Sequence, residues 1–591
     1  MPRRIFFLSI VLFLAIQHAV FAAGPQGFRI AGVVVDSVSG APLEHAEVTI
    51  APVTNLDNTI TTLSSNDGQF LFSGLSPGKY RLTAMCRGYT RQGLDEHEGF
   101  MTGIAVGPKL DSEHIRFRLF RESVIAGNVS NESGEPVREA QVFLFQTRIF
   151  SGHRSTNQIN RTQTDDLGNY RFAHLAPGVY SVVVYARPWF SGASNLALLF
   201  SLGKAALGDR IASVPLRMTT GVADFLSTSE FSHELPPQPP PNPILDVVYP
   251  VAFYSNAETL DAATPLSLSP GTTAKADFSL HAVPALRLLV KIPSVADAPA
   301  KPHSGDEDQA SPDSTESFEA SLNVAGVDLD SLSAQRSSQL PGFYEVSGIP
   351  PGQLVLTAGS ADHGRFSSES QSLQVSSDAQ IDMAPQGPLV SVSGHVLSLP
   401  APSAVRVDDD DTSEMASIKF TSPDGRTSYS SGVGPKGEFA FSVPAGQYLV
   451  ELGFEVTAHV ASIEATGASV SGRAVALAAG TPAKLVVHLT QPNCTVTGAA
   501  LKDGKPVAGA MILLVPEDPS QNATLFHRDQ SDSDGTFTLG GVLPGRYTLL
   551  AIENGWDLEW SSLSVLFRYL PNGKPLDIKP GAQVSANPSV Q

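Results

Sequence analysis

Apolar and polar residues alternate with a period of two over short stretches of this chain. Phe28-Arg29-Ile30-Ala31-Gly32-Val33-Val34-Val35-Asp36 and Ser123-Val124-Ile125-Ala126-Gly127-Asn128-Val129 are examples. Gly, Pro, Asn or Asp close each stretch. That pattern predicts β-strands joined by tight turns. Helical periodicity is nearly absent. Residues 194–208 are the exception, with the Ala and Leu content for a short helix.

One longer pattern recurs. A glycine precedes an aromatic-rich strand, then Pro-Gly-x-aromatic opens another. The copies are Gly68-Gln69-Phe70-Leu71-Phe72 with Pro77-Gly78-Lys79-Tyr80, and Gly168-Asn169-Tyr170-Arg171-Phe172 with Pro177-Gly178-Val179-Tyr180. Gly342-Phe343-Tyr344 with Pro351-Gly352-Gln353-Leu354, Gly437-Glu438-Phe439 with Gly446-Gln447-Tyr448, and Gly535-Thr536-Phe537 with Pro544-Gly545-Arg546-Tyr547 follow. The leading glycines stand 100, 174, 95 and 98 residues apart. The leading Gly supplies a positive φ and the Pro-Gly pair a second tight turn. The expectation is a hairpin in every copy.

These copies divide the chain into an all-β tandem array of about five β-sandwich modules. The expected bounds are 27–121, 122–283, 284–386, 387–491 and 492–591, called modules 1 to 5 below. Module 2 carries a partly helical insertion over 190–244, ending in the stiff run Pro236-Pro237-Gln238-Pro239-Pro240-Pro241. Module 3 is the most degenerate, and its polar stretch 300–317 reads as a loop. Short linkers, Phe120-Arg121-Glu122 and Gln491-Pro492-Asn493, predict a semi-rigid rod.

The succession Gly-x-Pro-x-x-x-Ala-x-Val, then Asp-Gly-x-Phe-x-Phe-x-x-Leu-x-Pro-Gly-x-Tyr, resembles the carboxypeptidase regulatory-like domain. Residues 504–512 and 534–547 show it in module 5, and modules 1 and 2 match as fully. Module 4 matches in part and module 3 weakly. The resemblance implies a seven-stranded transthyretin-like (prealbumin-like) sandwich for each module, a fold grouped as carbohydrate-binding-like. It implies no peptidase. The domain accompanies a zinc carboxypeptidase without being its catalytic part, and none of the 14 histidines opens a His-x-x-Glu or His-Glu-x-x-His pair.

Charge narrows the partners. A formal net charge of −19 over 591 residues disfavours nucleic acid, whose phosphates need Lys and Arg stripes, and disfavours anionic lipid. Arg3 and Arg4, an apolar run over 5–16, and Val20-Phe21-Ala22 read as a secretory signal over 1–22, so export to periplasm, cell surface or medium is expected. No later stretch has the length of apolar residues that a membrane-spanning helix needs. Cys86 and Cys494 fall in strands of different modules and read as two separate thiols.

Candidate chemistry is sparse. No Gly-x-Ser-x-Gly elbow and no phosphate-binding glycine loop is present, so neither enzyme nor cofactor is expected. Trp556 and Trp560, flanked by Asp557 and Glu559, offer planar rings beside carboxylates, the combination sugar binding uses; packing is the alternative. Trp189, a rim aromatic near the insertion, joins the sugar-binding candidates, while Tyr89 reads as a sandwich-rim aromatic. Asp408, Asp409, Asp410 and Asp411 with Glu414 are calcium candidates, as are Asp165 with Asp166 and Asp532 with Asp534. Asp equally favours such turns for its backbone hydrogen bonds. These features describe a non-catalytic exported binding or scaffold protein of the cell envelope, with polysaccharide or an envelope protein as partner. The alternatives are a soluble accessory partner of an outer-membrane uptake or assembly system, and an enzyme with its site in the module 2 insertion.

Overall fold

A computed structural model describes residues 27–591, apart from 192–243, 258, 293–314, 333, 338–339, 341, 363–364, 384–387, 398–416, 424, 426, 435, 454–458, 491–492, 520–521 and 523–524. The signal reading over 1–22, the helix expected over 194–208, most of the polar stretch 300–317 and the acidic candidates Asp408, Asp409, Asp410, Asp411 and Glu414 lie outside the described residues.

The described chain is built almost wholly of strands. One plan recurs at every copy of the motif. The opening strand Phe28–Asp36 pairs antiparallel with the motif strand Gln69–Leu75 and parallel with the closing strand Ile115–Leu119. Ser123–Asn131 lies likewise between Asn169–Leu175 and the strands Thr273–Lys275 and Phe278–Leu280. Leu286–Lys291 lies between Phe343–Ile349 and Ala379–Asp382. Leu389–Leu397 lies between Glu438–Pro444 and Ala483–Thr490. Cys494–Ala499 lies between Thr536–Val542 and Gln583–Ser585. First and last strands of each unit therefore sit side by side. A second, antiparallel sheet faces this one; in module 1 it contains Ile60–Leu63, Glu47–Pro52 and Gly78–Met85.

The hairpin expected across the Pro-Gly turn does not form. Gln69–Leu75 belongs to one sheet and Gly78–Met85 to the other, so the turn carries the chain across the sandwich. The opening strand is the antiparallel partner of the motif strand, and Glu47–Pro52 takes the strand after the turn. The motif tyrosine fastens this crossing. Tyr80, Tyr180 and Tyr448 each donate the hydroxyl hydrogen to the carbonyl four residues earlier, at Ser76 (3.0 Å), Ala176 (2.6 Å) and Pro444 (3.0 Å).

The modules are joined in three different ways. Between modules 1 and 2, the buried Asp36 carboxylate accepts from Arg121 Nε of the linker (2.6 Å) and the Tyr89 hydroxyl (2.9 Å). The backbone N–H of Ser39 holds this carboxyl far below the usual carboxylate range; Arg121, Tyr89 and the Ser39 hydroxyl add to the effect against the cost of burial. Between modules 2 and 3 the joint has an apolar centre, with the ion pairs Arg187–Asp330 (2.6 Å) and Arg287–Asp246 (2.8 Å) beside it. Phe143, Phe145, Val183 and Tyr185 share one buried cluster with Leu288, Leu322 and Leu356. Between modules 3 and 4 the sheets fuse: Arg365–Val375 pairs with Thr427–Gly432, making nine strands continuous.

The expected rod does not form either, because module 5 folds back onto modules 1 and 2. The two central strands of its four-stranded sheet, Met511–Pro516 and Gly545–Ile552, carry apolar residues on both faces. Ile512, Leu514 and Leu549 point into the sandwich. Met511, Leu513, Val515, Leu550 and Ile552 point outward, under Trp556, Trp560 and Leu566. An outer face of this kind needs a cover. The segment 555–572, with the short helices Gly555–Asp557, Leu563–Leu566 and Leu570–Asn572, supplies part of it.

Candidate functional site

The side chains a site would be made from converge where modules 1, 2 and 5 meet. The strand His527–Gln530 and the turn after it place Arg528, Gln530 and Asp532 two residues apart, on one face of the chain. Module 1 offers Lys79 and the loop 94–105 to that face. Arg528 Nη1 lies 2.6 Å from Glu98 Oε2, with 12% and 7% of the two side chains exposed. Glu98 Oε2 also accepts the backbone N–H of Ser151, from the tip of a module 2 hairpin (2.9 Å). Arg528 Nη2 reaches the Ser151 hydroxyl (2.9 Å). One ion pair thus fixes three modules.

Gln530 completes the register. Its Nε2 donates to the Asp95 carbonyl (2.7 Å) and the Thr102 hydroxyl (2.8 Å), and its Oε1 meets His97 Nδ1 (3.1 Å). Asp532 accepts the Gly103 N–H (2.9 Å) and pairs with Lys79. The backbone joins in: Ser533 N–H donates to the Gly103 carbonyl (2.9 Å), and the Ser533 hydroxyl accepts the Ala105 N–H (2.8 Å).

Two of the three tryptophans of the sugar-stacking reading, Trp556 and Trp560, sit inside this junction. Trp556 and Trp560 are 5% and 4% exposed. Trp556 stacks on His97 (centroids 5.5 Å apart, planes 7° apart) and packs on Phe100 (5.2 Å). Trp560 packs on Phe526 (5.1 Å), and Gly152 of the module 2 hairpin lies so close to its ring that a Cβ there would meet Trp560 at 2.4 Å. The Arg528 guanidinium lies over the rings of Phe100, Trp556 and Trp560 at 5.4, 6.0 and 5.2 Å. The ring faces that would stack on a sugar are occupied by the protein itself. Glu559 pairs with Arg154 of module 2 (3.0 Å), while Asp557 is exposed.

The remaining candidates fall elsewhere. Trp189 is 85% exposed and meets Phe190 edge to face. Tyr89 packs at the edge of the module 1 core as well as on Asp36. Asp165 accepts the N–H groups of Leu167 and Asn169, Asp534 that of Thr536, and Asp532 is committed to module 1. Their carboxylates serve as turn and junction acceptors. Cys86 and Cys494 are free thiols. Among the described residues no group of three His, Cys, Asp or Glu side chains gathers to hold a metal, and no helix is long and apolar enough to cross a membrane.

Sequence reading missed Glu98, Arg528, Gln530 and Asp532 as a set. A signal for the junction exists in the unbroken apolar run Met511-Ile512-Leu513-Leu514-Val515, which marks a strand buried on both faces.

Asp529, beside this face, gives the junction's strand a pH dependence. Burial pushes its carboxyl up to about 6, against the N–H groups of Thr538 and Gln530, which favour the charged form. The folded state therefore holds the proton more tightly than the unfolded chain, whose Asp titrates near 4, roughly. That stabilisation is complete below about pH 4 and is lost as pH rises through 6. Asp529→Asn is expected to flatten this slope, checked by thermal unfolding across pH with the buried tryptophans as fluorescent reporters.

An all-β array whose opening strands lie between motif strand and closing strand is a tandem β-sandwich protein. The model of the carboxypeptidase regulatory-like domain matches two stretches of it, residues 29–108 and 124–193. No curated protein matches the chain. Similar solved structures include the Bacillus anthracis TIE protein, 11% identical over 79% of this chain and 68% of that one, with a TM-score of 0.15. The minor pilin GBS52 of Streptococcus agalactiae is 12% identical over 43% of this chain and 96% of its own, with a TM-score of 0.19. The shaft pilin SpaA of Lactobacillus rhamnosus GG is 9% identical over 44% and 98%, with a TM-score of 0.17. Likeness at these scores carries no functional argument.

Proposed function

We propose that this chain is a non-catalytic exported scaffold that holds β-sandwich modules in a fixed arrangement and presents their free surfaces to envelope partners. One observation carries the reading. A gathering of buried charge, amide and aromatic groups engages the chain's own modules 1, 2 and 5, which is the work of a joint. Lining up three modules on one ion pair fixes the spacing of whatever their loops present.

Polysaccharide is the ligand class we assign to the free surface, with Trp189 as the stacking ring, since it is the tryptophan left 85% exposed. An exposed indole combines a planar apolar face with its own N–H donor. A glycan and polysaccharide binding screen of the mature chain tests this against Trp189→Ala. Binding that the substitution removes supports the assignment. Binding that survives Trp189→Ala rejects Trp189 as the stacking ring, and no binding at all rejects the sugar and leaves the scaffold with a protein partner.

A further inference from the structure

The joints differ in how readily they can part. Modules 2 and 3 share one apolar cluster, and modules 3 and 4 share a continuous sheet. Separating either pair exposes core or breaks a strand ladder. Module 1 and its neighbour are tied through Asp36 and the linker residue Arg121. The joint of module 5 is of another kind. Its ties to modules 1 and 2 are side-chain ion pairs, amide bonds and two backbone bonds, Ser533 N–H to the Gly103 carbonyl and Ser561 N–H to the Gly152 carbonyl, laid over Trp556 and Trp560, which pack on module 5's own sheet and against His97, Phe100 and Gly152. Polar, register-setting contacts of this sort characterise interfaces that form and dissolve between folded units.

The charges across the joint are reciprocal. Module 1 contributes Lys79 and Glu98; module 5 contributes Asp532 and Arg528. Each face is thus complementary to the other and not to itself. Such a heterologous interface closes within one chain, or between copies when each lends its module 5 to the other.

We propose that the face of modules 1 and 2 that holds module 5 within the chain also takes module 5 of a second copy, giving a reciprocally exchanged dimer. The exchanging element is the unit that begins at Asn493, and its partner surface is Lys79, the loop 94–105 and the hairpin tip at Ser151 and Gly152. Closure within the chain is favoured at low concentration by effective concentration alone, and exchange grows with protein concentration.

A charge-swap complementation in the full mature chain tests this. Glu98→Arg places two cations at the joint, and Arg528→Glu places two carboxylates there. Each variant alone is expected to open and stay monomeric. Mixed one to one, they can form one joint with the charges reversed and one wild-type joint, so light scattering after size exclusion should show a species of twice the monomer mass containing both variants. The double variant Glu98→Arg/Arg528→Glu should be monomeric and closed again. Circular dichroism checks the sandwiches of each variant. If either single variant misfolds, Lys79→Glu with Asp532→Lys repeats the design at a more exposed pair. A mixture of folded variants that remains monomeric overturns the proposal. So does a doubling of mass in one variant alone, because that association does not use this face.

Discussion

Replacing Arg528 with alanine is expected to open the junction of modules 1, 2 and 5 while each sandwich stays folded. The guanidinium does three things there. It neutralises Glu98, it bonds the Ser151 hydroxyl, and it lies over three aromatic rings. Without it the Glu98 carboxylate keeps the Ser151 N–H, and its other oxygen, already buried without a hydrogen bond, stays unsolvated. Removing one partner of a buried ion pair costs about 3–5 kcal/mol, and the lost cation–ring contacts add about 0.5–2 kcal/mol. Glu98 can recover hydration only by leaving the junction, so the strain is relieved by separation of modules rather than by unfolding. The expected outcome is a larger radius of gyration in small-angle scattering and a red shift of tryptophan emission, as Trp556 and Trp560 meet water. Arg528→Lys should fall between, since it restores the charge without the planar fork that reaches Glu98 and Ser151 together. Unchanged scattering and emission in Arg528→Ala would place the hold on module 5 elsewhere.

The plan inside each module was legible in the sequence because it rests on local signals. Alternation marks the strands, and the leading glycines of the motif do adopt positive φ, 75° at Gly68 and 78° at Gly535. The pairing across the Pro-Gly turn was not legible, since a turn that joins two strands of one sheet and a turn that crosses between sheets use the same residues. The partner of the motif strand lies tens of residues upstream. The joints were partly legible. Gly78–Met85 of module 1 interleaves buried positions with exposed or half-buried ones, whereas Val142–Phe145 and Met511–Val515 are buried throughout. Those unbroken apolar runs announce sheets covered on both sides, although nothing in them names the cover. Trp556-Asp557-Leu558-Glu559-Trp560 shows the limit. Rings beside carboxylates suit a sugar and suit a joint equally well, and only Phe100, His97 and Gly152, hundreds of residues away in the chain, decide between them.

The other large effect belongs to a glycine in the opening strands. Gly498 sits where its strand passes between the closing strand and the ring of the motif aromatic. A Cβ there would stand 1.8 Å from the Ala586 carbonyl oxygen and 3.0 Å from the Phe537 ring. Gly127 holds the matching place in module 2, with a Cβ 1.8 Å from the Ala276 carbonyl oxygen. Both contacts are with backbone of a paired strand, which cannot swing aside as a side chain can. Gly498→Ala must therefore push Gln583–Ser585 off the sheet or push Phe537 out of the core. Overpacking a core costs about 1–3 kcal/mol where side chains can adjust, and this site is expected at or above the top of that range. Gly540→Ala, on the neighbouring motif strand where a Cβ meets nothing within 4 Å, serves as the matched control. Hydrogen exchange should show Cys494–Ala499 and Gln583–Ser585 losing protection in Gly498→Ala and keeping it in Gly540→Ala. Equal protection in the two would mean that the closing strand yields at little cost. The side-by-side placing of first and last strands would then contribute little to holding module 5 together as a separable unit.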